Sequence, residues 1–277
     1  MDKQLISSIV SEFIADRQLQ NRSPKTILFY KQELSYFIQF LNKQNIIYIE
    51  QITTSLIKSY LLELGTHRNR GGVACSFRAI KSFINYFDFV YGWKDNPIKK
   101  VKIPSPKIDP LPEIPIENVQ LLINATYGKN QLRDSAILRT LIDNGCRAKE
   151  ICDLDISSLD ETGQLKILHG KGNKARITYV GSKTKKAIKD YLKTRRDNNP
   201  ALFVTEDGKR FGYFGLRSII SRLSVHAGIS EPPIHSFRRC FALTMYRKGV
   251  PILVISSLLG HSQLEVTRRY LAIIQMI

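Results

Sequence analysis

The stretch HSFRRCFALTMYRKGVPILVISSLLGHSQLEVTRRY, residues 235–270, decides the fold of the second half of the chain. Its apolar residues recur at the three- and four-residue spacing of a buried helix face, and glycine and proline interrupt that spacing. We therefore predict three helices, over 236–248, 251–259 and 262–274. Ser262, followed three residues later by a glutamate, forms a capping box, which is a helix-start signal.

The residues before this stretch predict further helices and one small hairpin. The glycine-rich run GKGN at 170–173 separates two strand-like segments, 165–169 and 176–180, which favours a β-hairpin. A short strand is predicted at 202–205. The additional helices are predicted over 116–124, 131–144, 148–153, 182–194 and 214–227. This half of the chain is therefore expected to be mixed α/β and mainly helical.

The first ninety or so residues predict helices throughout. Apolar residues form one helical stripe from Leu5 to Ile14, and Ser23-Pro24 is typical of a helix start. Two more helices follow, one ending at Gly65 and one running from about Val73 to Val90. Four helices with basic residues between them predict a compact basic bundle.

A proline-rich segment follows this bundle. Residues 96–115 contain six prolines together with several lysines, a composition that favours a stiff, extended connector. We therefore divide the chain into a helical domain at 1–95, a basic linker at 96–112 and a second domain at 113–277. The predicted fold class is mainly α with a small β-sheet.

The charge of the chain indicates the class of partner. Of 277 residues, 42 are lysine or arginine and 24 are aspartate or glutamate, which gives a net charge of +18. Such an excess favours nucleic acid, with an anionic membrane surface as the weaker alternative. No apolar run is long enough to span a bilayer, and the N-terminus lacks the apolar core of a signal peptide. The four cysteines show neither metal-site nor disulfide spacing, so we expect reduced thiols in a cytoplasmic protein.

The decisive stretch also holds four candidate functional residues. His235 and Arg238 are three apart and share one face of a helix. His261 lies at the start of the helix predicted over 262–274, and Tyr270 follows His261 by nine residues. Each signal alone is weak, because an HxxR pair occurs by chance and a lone tyrosine is usually a core or surface aromatic.

Two further candidates precede that stretch. Arg147 follows an apolar helix in NGCRAKE, where Glu150 could hold it in a structural ion pair. Lys171 lies in the glycine-rich turn, where most lysines are simply solvated. Taken with the other four, these residues suit cutting of a phosphodiester bond without a metal. Tyrosine can attack phosphorus, guanidinium groups bind phosphate oxygens, and lysine or histidine can transfer protons.

These motifs resemble those of the tyrosine recombinase (phage integrase) family, and most closely its Xer-like members. In that family an arginine in a GlR-x-x-E context is followed by a lysine in a GKG-type hairpin, then H-x-x-R, LGH and a tyrosine. The matching residues, in this order, are Arg147, Lys171, His235, Arg238, His261 and Tyr270. The helical first domain and proline-rich linker also resemble the family's core-binding domain and connector. Cys146 and Arg239 depart from the usual neighbours without removing a catalytic group.

The resemblance implies a chemical mechanism. Tyr270 would attack the scissile phosphate to give a 3′-phosphotyrosine link and a free 5′-hydroxyl, while Arg147 and Arg238 neutralise the non-bridging oxygens. His261 would add a third phosphate contact, His235 would accept the tyrosine proton or orient it, and Lys171 would protonate the leaving oxygen. Neither a metal nor another cofactor is implied.

The resemblance also implies partners. The substrates would be double-stranded DNA recombination sites, the assembly a homotetramer on synapsed DNA, and the location the nucleoid. A second recombinase or a directionality factor is a possible further partner, and no membrane association is expected. Because few residues follow Tyr270 in this sequence, we expect a monomer in the absence of DNA. Two alternatives stay open: DNA relaxation of the type IB topoisomerase kind, and a DNA-binding regulator that does not cut.

Overall fold

The computed structural model describes residues 3–103, 113–168, 175–261 and 264–271, without the side chains of residues 269 and 270. The chain forms two compact units, residues 1–108 and 109–277. Mainly helical structure with one small antiparallel sheet confirms the predicted fold class.

Four helices build the first unit. Three of them begin after a polar cap: the side chains of Ser23, Thr53 and Asn69 each accept a hydrogen bond from a backbone N–H in the first turn of the helix that follows. The helix at 73–90 begins three residues earlier than predicted, since Asn69 supplies its cap. The four helices are α1 (Ile6–Leu19), α2 (Pro24–Lys43), α3 (Thr54–Gly65) and α4 (Arg70–Tyr91).

Aromatic side chains fill the core between these helices. Phe13 of α1 packs edge-to-face against Phe83 of α4, with ring centroids 5.7 Å apart, and Phe37 of α2 is fully buried. A short 3₁₀ helix, Pro97–Lys100, adds Ile98 to the same core. The first proline of the predicted linker therefore lies in regular, packed structure, and residues 104–112 lie outside the described residues.

The second unit contains eight described helices and a hairpin. Most of its helices begin and end where the periodicity predicts. The helices are α5 (Ile116–Asn124), α6 (Gln131–Asn144), α7 (Ala148–Asp153), α8 (Ser182–Thr194), α9 (Tyr213–Ala227), α10 (Ile234–Arg247), α11 (Ile252–Leu259) and α12 (Leu264–Leu271). α6 packs against both α8 and α10 and is buried in the main core of the unit. Its C-terminal end lies beside the residues described in the next subsection.

The hairpin consists of β1 (Gln164–Ile167) and β2 (Arg176–Tyr179), paired antiparallel with Ile167 opposite Arg176. The predicted turn between the strands, and the predicted cap at Ser262, lie outside the described residues. The prediction of a strand at 202–205 is wrong. Within this buried segment only Val204 forms an isolated bridge, to Arg210, and the preceding Ala201 forms another, to Asp155, so no ladder forms among the described residues.

None of the described helices has both the length and the apolar character needed to cross a membrane. All four cysteines are free thiols, as predicted.

Candidate active site

Two glycines end the helices that frame the site. Gly145 follows α6 with φ +61°, and Gly260 follows α11 with φ +65°, both in the left-handed region that favours glycine. A Cβ atom on Gly145 would lie 2.8 Å from a methyl carbon of Leu259, and one on Gly260 would lie 2.8 Å from Cδ of Arg176. Both turns therefore need glycine for conformation and for space.

Three arginines converge on the C-terminal end of α11. The carbonyl oxygens of residues 258–260 accept hydrogen bonds from Arg176 Nε at 2.9 Å, Arg238 Nη2 at 2.6 Å and Arg147 Nη2 at 3.4 Å, respectively. The last carbonyls of a helix have no partner within the helix and form the negative end of its dipole. This helix end thus gathers three positive charges from separate parts of the chain.

Glu150 fixes the position of Arg147. The Arg147 side chain donates from Nη1 to Glu150 Oε1 at 2.9 Å, and its backbone N–H donates to Oε2 at 2.8 Å. The contact that sequence spacing predicted between these two residues is thereby confirmed. A quarter of the Arg147 side chain remains exposed, so an anion in solvent can reach it.

Arg176 holds the same carboxylate from its other side. Its two terminal nitrogens donate to Glu150 at 2.9 and 2.7 Å, and the Glu150 side chain is only 4% exposed. Burial raises the pKa of Glu150, but hydrogen bonds from Arg176 and Arg147 outweigh it and lower the pKa to about 2. Glu150 is therefore ionised at neutral pH and shared by two arginines.

Arg238 and His235 lie on the same face of α10, as their spacing predicted. Arg238 is 2% exposed and donates from Nη1 to the carbonyl oxygen of Gly145 at 2.8 Å, in addition to its bond to Leu259. His235 is solvent-exposed in the first turn. Partial loss of hydration, and then the charges of Arg238 and Arg147, lower the pKa of His235, which favours its neutral form.

His261 links α11 to α12. Its Nδ1 lies 2.7 Å from the hydroxyl oxygen of Thr267, which is fully buried and precedes Tyr270 by three residues. Burial, followed by the charges of Arg238, Arg147 and Arg176, lowers the pKa of His261 to about 4. The imidazole is therefore neutral at pH 7, with one ring nitrogen able to donate a hydrogen bond.

Tyr270 and Lys171 complete the predicted set. The backbone of Tyr270 belongs to α12, one turn beyond Thr267, and its side chain lies outside the described residues. Lys171 also lies outside them. The structure thus brings together four of the six predicted residues: Arg147, His235, Arg238 and His261. Within the described ranges, no group of three or more His, Cys, Asp or Glu side chains is placed to hold a metal. Two arginines share the Glu150 carboxylate, and Arg238 is bonded to carbonyl oxygens at the same helix end. Guanidinium groups gathered in this way can bind an anion.

Comparisons with family models identify the class of protein. Residues 114–275, more than half of the chain, match the phage integrase family, and residues 10–87 match the phage integrase N-terminal SAM-like domain. The chain belongs to the phage integrase family. It is 30% identical over 258 residues to tyrosine recombinase XerC of Herpetosiphon aurantiacus, covering 88% of this chain and 83% of that protein. The predicted family is confirmed, and the chain is a site-specific tyrosine recombinase.

Solved structures of family members share the fold. A lambda integrase tetramer bound to a Holliday junction superposes with a TM-score of 0.82 at 12% identity, covering 97% of this chain and 78% of that one. The XerH site-specific recombinase bound to a palindromic difH substrate gives a TM-score of 0.75 at 19% identity, covering 91% and 77%, respectively.

Sequence reasoning missed two residues of this recombinase site, Arg176 and Thr267. Arg176 comes shortly after the glycine-rich turn and was predicted as an ordinary strand residue. The sequence carried no signal for its role, because alternation would bury Ile177, whereas in the structure Ile177 and Tyr179 are exposed and Thr178 is buried. Thr267 lies one helical turn before Tyr270, a spacing that places both near one face of α12.

Proposed function

We propose that this recombinase cuts duplex DNA through a 3′-phosphotyrosine intermediate. The oxygen of Tyr270 forms a bond to phosphorus, the bond from phosphorus to the 5′-oxygen breaks, and a free 5′-hydroxyl is released. A 5′-hydroxyl from another duplex reverses the step, so strands rejoin without ATP. The observation that carries this proposal is the gathering of Arg147, Arg238 and His261 around the end of α11.

The two arginines supply the electrostatic part of catalysis. Arg147, Arg176 and Arg238 bring three positive charges to the site, and Glu150 is the carboxylate that holds Arg147 and Arg176 among the described residues. Arg147 and Arg238 would neutralise the non-bridging oxygens as charge builds up on them in the transition state. Loss of one such donor costs about a hundred- to a thousand-fold in rate.

Two other residues carry out the proton transfers, and a third contacts the phosphate. Neutral His235 accepts the proton of Tyr270, and Lys171 gives a proton to the departing 5′-oxygen. Neutral His261 donates a hydrogen bond to the phosphate through Nε2 if Nδ1 accepts from the Thr267 hydroxyl. The contact between His261 and Thr267 of α12 also supports an approach of Tyr270 to the same phosphate.

The substrate and assembly follow from charge and from relatives. XerH and lambda integrase were solved on DNA, the latter as a tetramer. We extend both properties to this chain: it binds two DNA sites and works as a homotetramer. The net charge of +18 supports this, because DNA binding is dominated by phosphate contacts. In this proposal residues 1–95 form the core-binding domain, 96–112 the linker and 113–277 the catalytic domain. The protein acts on nucleoid DNA in integration, excision or chromosome dimer resolution.

Trapping the covalent intermediate tests this proposal. A nicked suicide substrate loses the strand carrying the 5′-hydroxyl after cleavage, so the protein–DNA adduct accumulates and survives denaturant. The unaltered protein should form this adduct, Tyr270→Phe should not, and Tyr179→Phe on exposed β2 should form it normally. An adduct that persists in Tyr270→Phe would disprove the assignment of the nucleophile.

A second measurement separates recombination from simple relaxation. With two differently labelled duplexes, a recombinase joins an end of one duplex to an end of the other, whereas a type IB topoisomerase reseals the same strand. If the protein forms the Tyr270 adduct but only parental strands are recovered, the recombinase proposal is contradicted.

A further inference from the structure

Arg176 makes several hydrogen bonds around the site, yet none of the six predicted roles belongs to it. It is 9% exposed, donates two hydrogen bonds to Glu150, and donates a third from Nε to the carbonyl oxygen of Leu258. Its Cδ also occupies the space that a Cβ on Gly260 would need. One side chain thus touches both the partner of Arg147 and the turn that leads into His261.

The charges explain why a second arginine is needed at Glu150. Glu150 on its own would cancel the charge of Arg147, since the pair sums to zero. Arg176 adds one positive charge to the same carboxylate, so the group of three has a net charge of +1. Glu150 can therefore hold Arg147 in place while the three side chains together keep a positive charge that attracts a phosphate.

We propose that Arg176 is a positioning residue for phosphate binding and cleavage by this recombinase. It shares the carboxylate of Glu150, which fixes Arg147 and preserves its charge, and it anchors the end of α11 that precedes His261. This inference rests on the proposed phosphotyrosine chemistry for its kinetic test. It does not place Arg176 in contact with DNA.

Three variants test the inference. Arg176→Gln removes the charge and the fork of donors, and Arg176→Lys keeps the charge but loses the fork. The matched control is Arg195→Gln in the same unit. Arg195 is 7% exposed and bonds to Asp197 and to the carbonyl oxygens of Asn199 and Ala201, away from the site. All three are compared by thermal unfolding and by single-turnover cleavage of a saturating suicide substrate.

We expect Arg176→Gln to cleave about 10- to 100-fold more slowly, the range found when a residue that orients a primary contact is lost. Arg176→Lys should fall between Arg176→Gln and the unaltered protein. Arg195→Gln should lose stability to a similar extent but cleave within about two-fold of the normal rate, in line with a structural ion pair away from the site. Equal losses of cleavage in the two glutamine variants would show that Arg176 only stabilises the fold.

A substrate with sulfur in place of the leaving 5′-oxygen tests which group Arg176 acts through. A thiolate leaves without protonation, so this substrate bypasses the acid but still needs the arginines. Arg176→Gln should remain slow on it, as Arg147→Ala should. Recovery of the normal rate would mean that Arg176 acts through the acid Lys171, which would overturn the proposal.

A titration of His261 provides a readout that does not depend on cleavage. The ring proton signals of His261, assigned with His261→Gln, are followed by NMR in the free protein. Removing a nearby positive charge should raise the pKa of His261 in Arg176→Gln, while Arg176→Lys and Arg195→Gln leave it unchanged. An unchanged pKa in Arg176→Gln would contradict the placement of Arg176 even if the phosphotyrosine chemistry itself proved wrong.

Discussion

Replacing Glu150 with glutamine should destabilise the second unit, because a buried carboxylate between two arginines would lose its charge. Arg147 and Arg176 would then face each other across a neutral amide whose nitrogen cannot accept their hydrogen bonds. The folded pKa of about 2 lies roughly 2.5 units below the ordinary value of 4.5. At about 1.4 kcal/mol for each unit, the charge of Glu150 contributes about 3 to 4 kcal/mol to the free energy of unfolding.

The sign of the pH dependence follows from that pKa. Because folding lowers the pKa of Glu150, the stabilisation is fully present above pH 4.5 and is lost as the pH falls toward 2. The difference in unfolding free energy between the unaltered protein and Glu150→Gln should therefore be constant from pH 7 to about pH 5. It should shrink as the pH is lowered further.

The two units allow the effect to be localised. Trp93 is the single tryptophan and belongs to the first unit, so its fluorescence follows that unit, whereas circular dichroism follows the helices of both. In urea, Glu150→Gln should shift the dichroism transition of the second unit and leave the Trp93 transition unchanged. Glu161→Gln, at an exposed carboxylate paired with Lys189, is the control and should shift neither. A loss below about 1 kcal/mol at pH 7, or one that does not change with pH, would refute the reasoning.

Three further predictions concern cleavage. His235 must be neutral to accept a proton, and its pKa is lowered. In a plot of kcat/KM against pH, the fall on the acid side should therefore be centred below pH 6.5. A fall centred at or above pH 6.5 would contradict this role. Thr267→Val removes the hydroxyl beside His261 and should slow cleavage about five-fold, the rate equivalent of one hydrogen bond, while Thr267→Ser should cleave normally. Equal rates for the two variants would exclude a role for the hydroxyl. Lys171→Ala should cleave ordinary DNA poorly and the sulfur-substituted strand at close to the normal rate; failure of that rescue would assign Lys171 to binding.

Periodicity predicted the helices well because the helices bury an apolar face. Polar caps, glycine or proline mark many of their boundaries. α5, α6 and α7 begin and end at the predicted residues. The wrong strand at 202–205 has a physical cause. Its apolar run is buried, which suits a strand, but Val204 and the preceding Ala201 form single bridges to different partners instead of a ladder.

The sequence predicted which residues form the site, but not the long-range contacts that hold them in place. Spacing placed His235 beside Arg238 and Arg147 beside Glu150 because both pairs are local in sequence. The partners of Arg176 are distant in sequence and depend on how β2 meets α7 and α11. Alternation alone would bury Ile177 and expose Arg176, whereas the structure does the reverse because Glu150 offers Arg176 a charged partner inside.

The choice of acceptors around the arginines explains how buried guanidinium groups can still attract a phosphate. A carboxylate for each arginine would fix its geometry but cancel its charge. Carbonyl oxygens at a helix end also fix the geometry and carry no net charge, and two of them, on Gly145 and Leu259, accept hydrogen bonds from Arg238. Glu150 is the one carboxylate bonded to Arg147 and Arg176 in the described part of the chain. The helix ends at Gly145 and Gly260 therefore make it possible to bury positive charge in an ordered site and leave that charge available to the substrate.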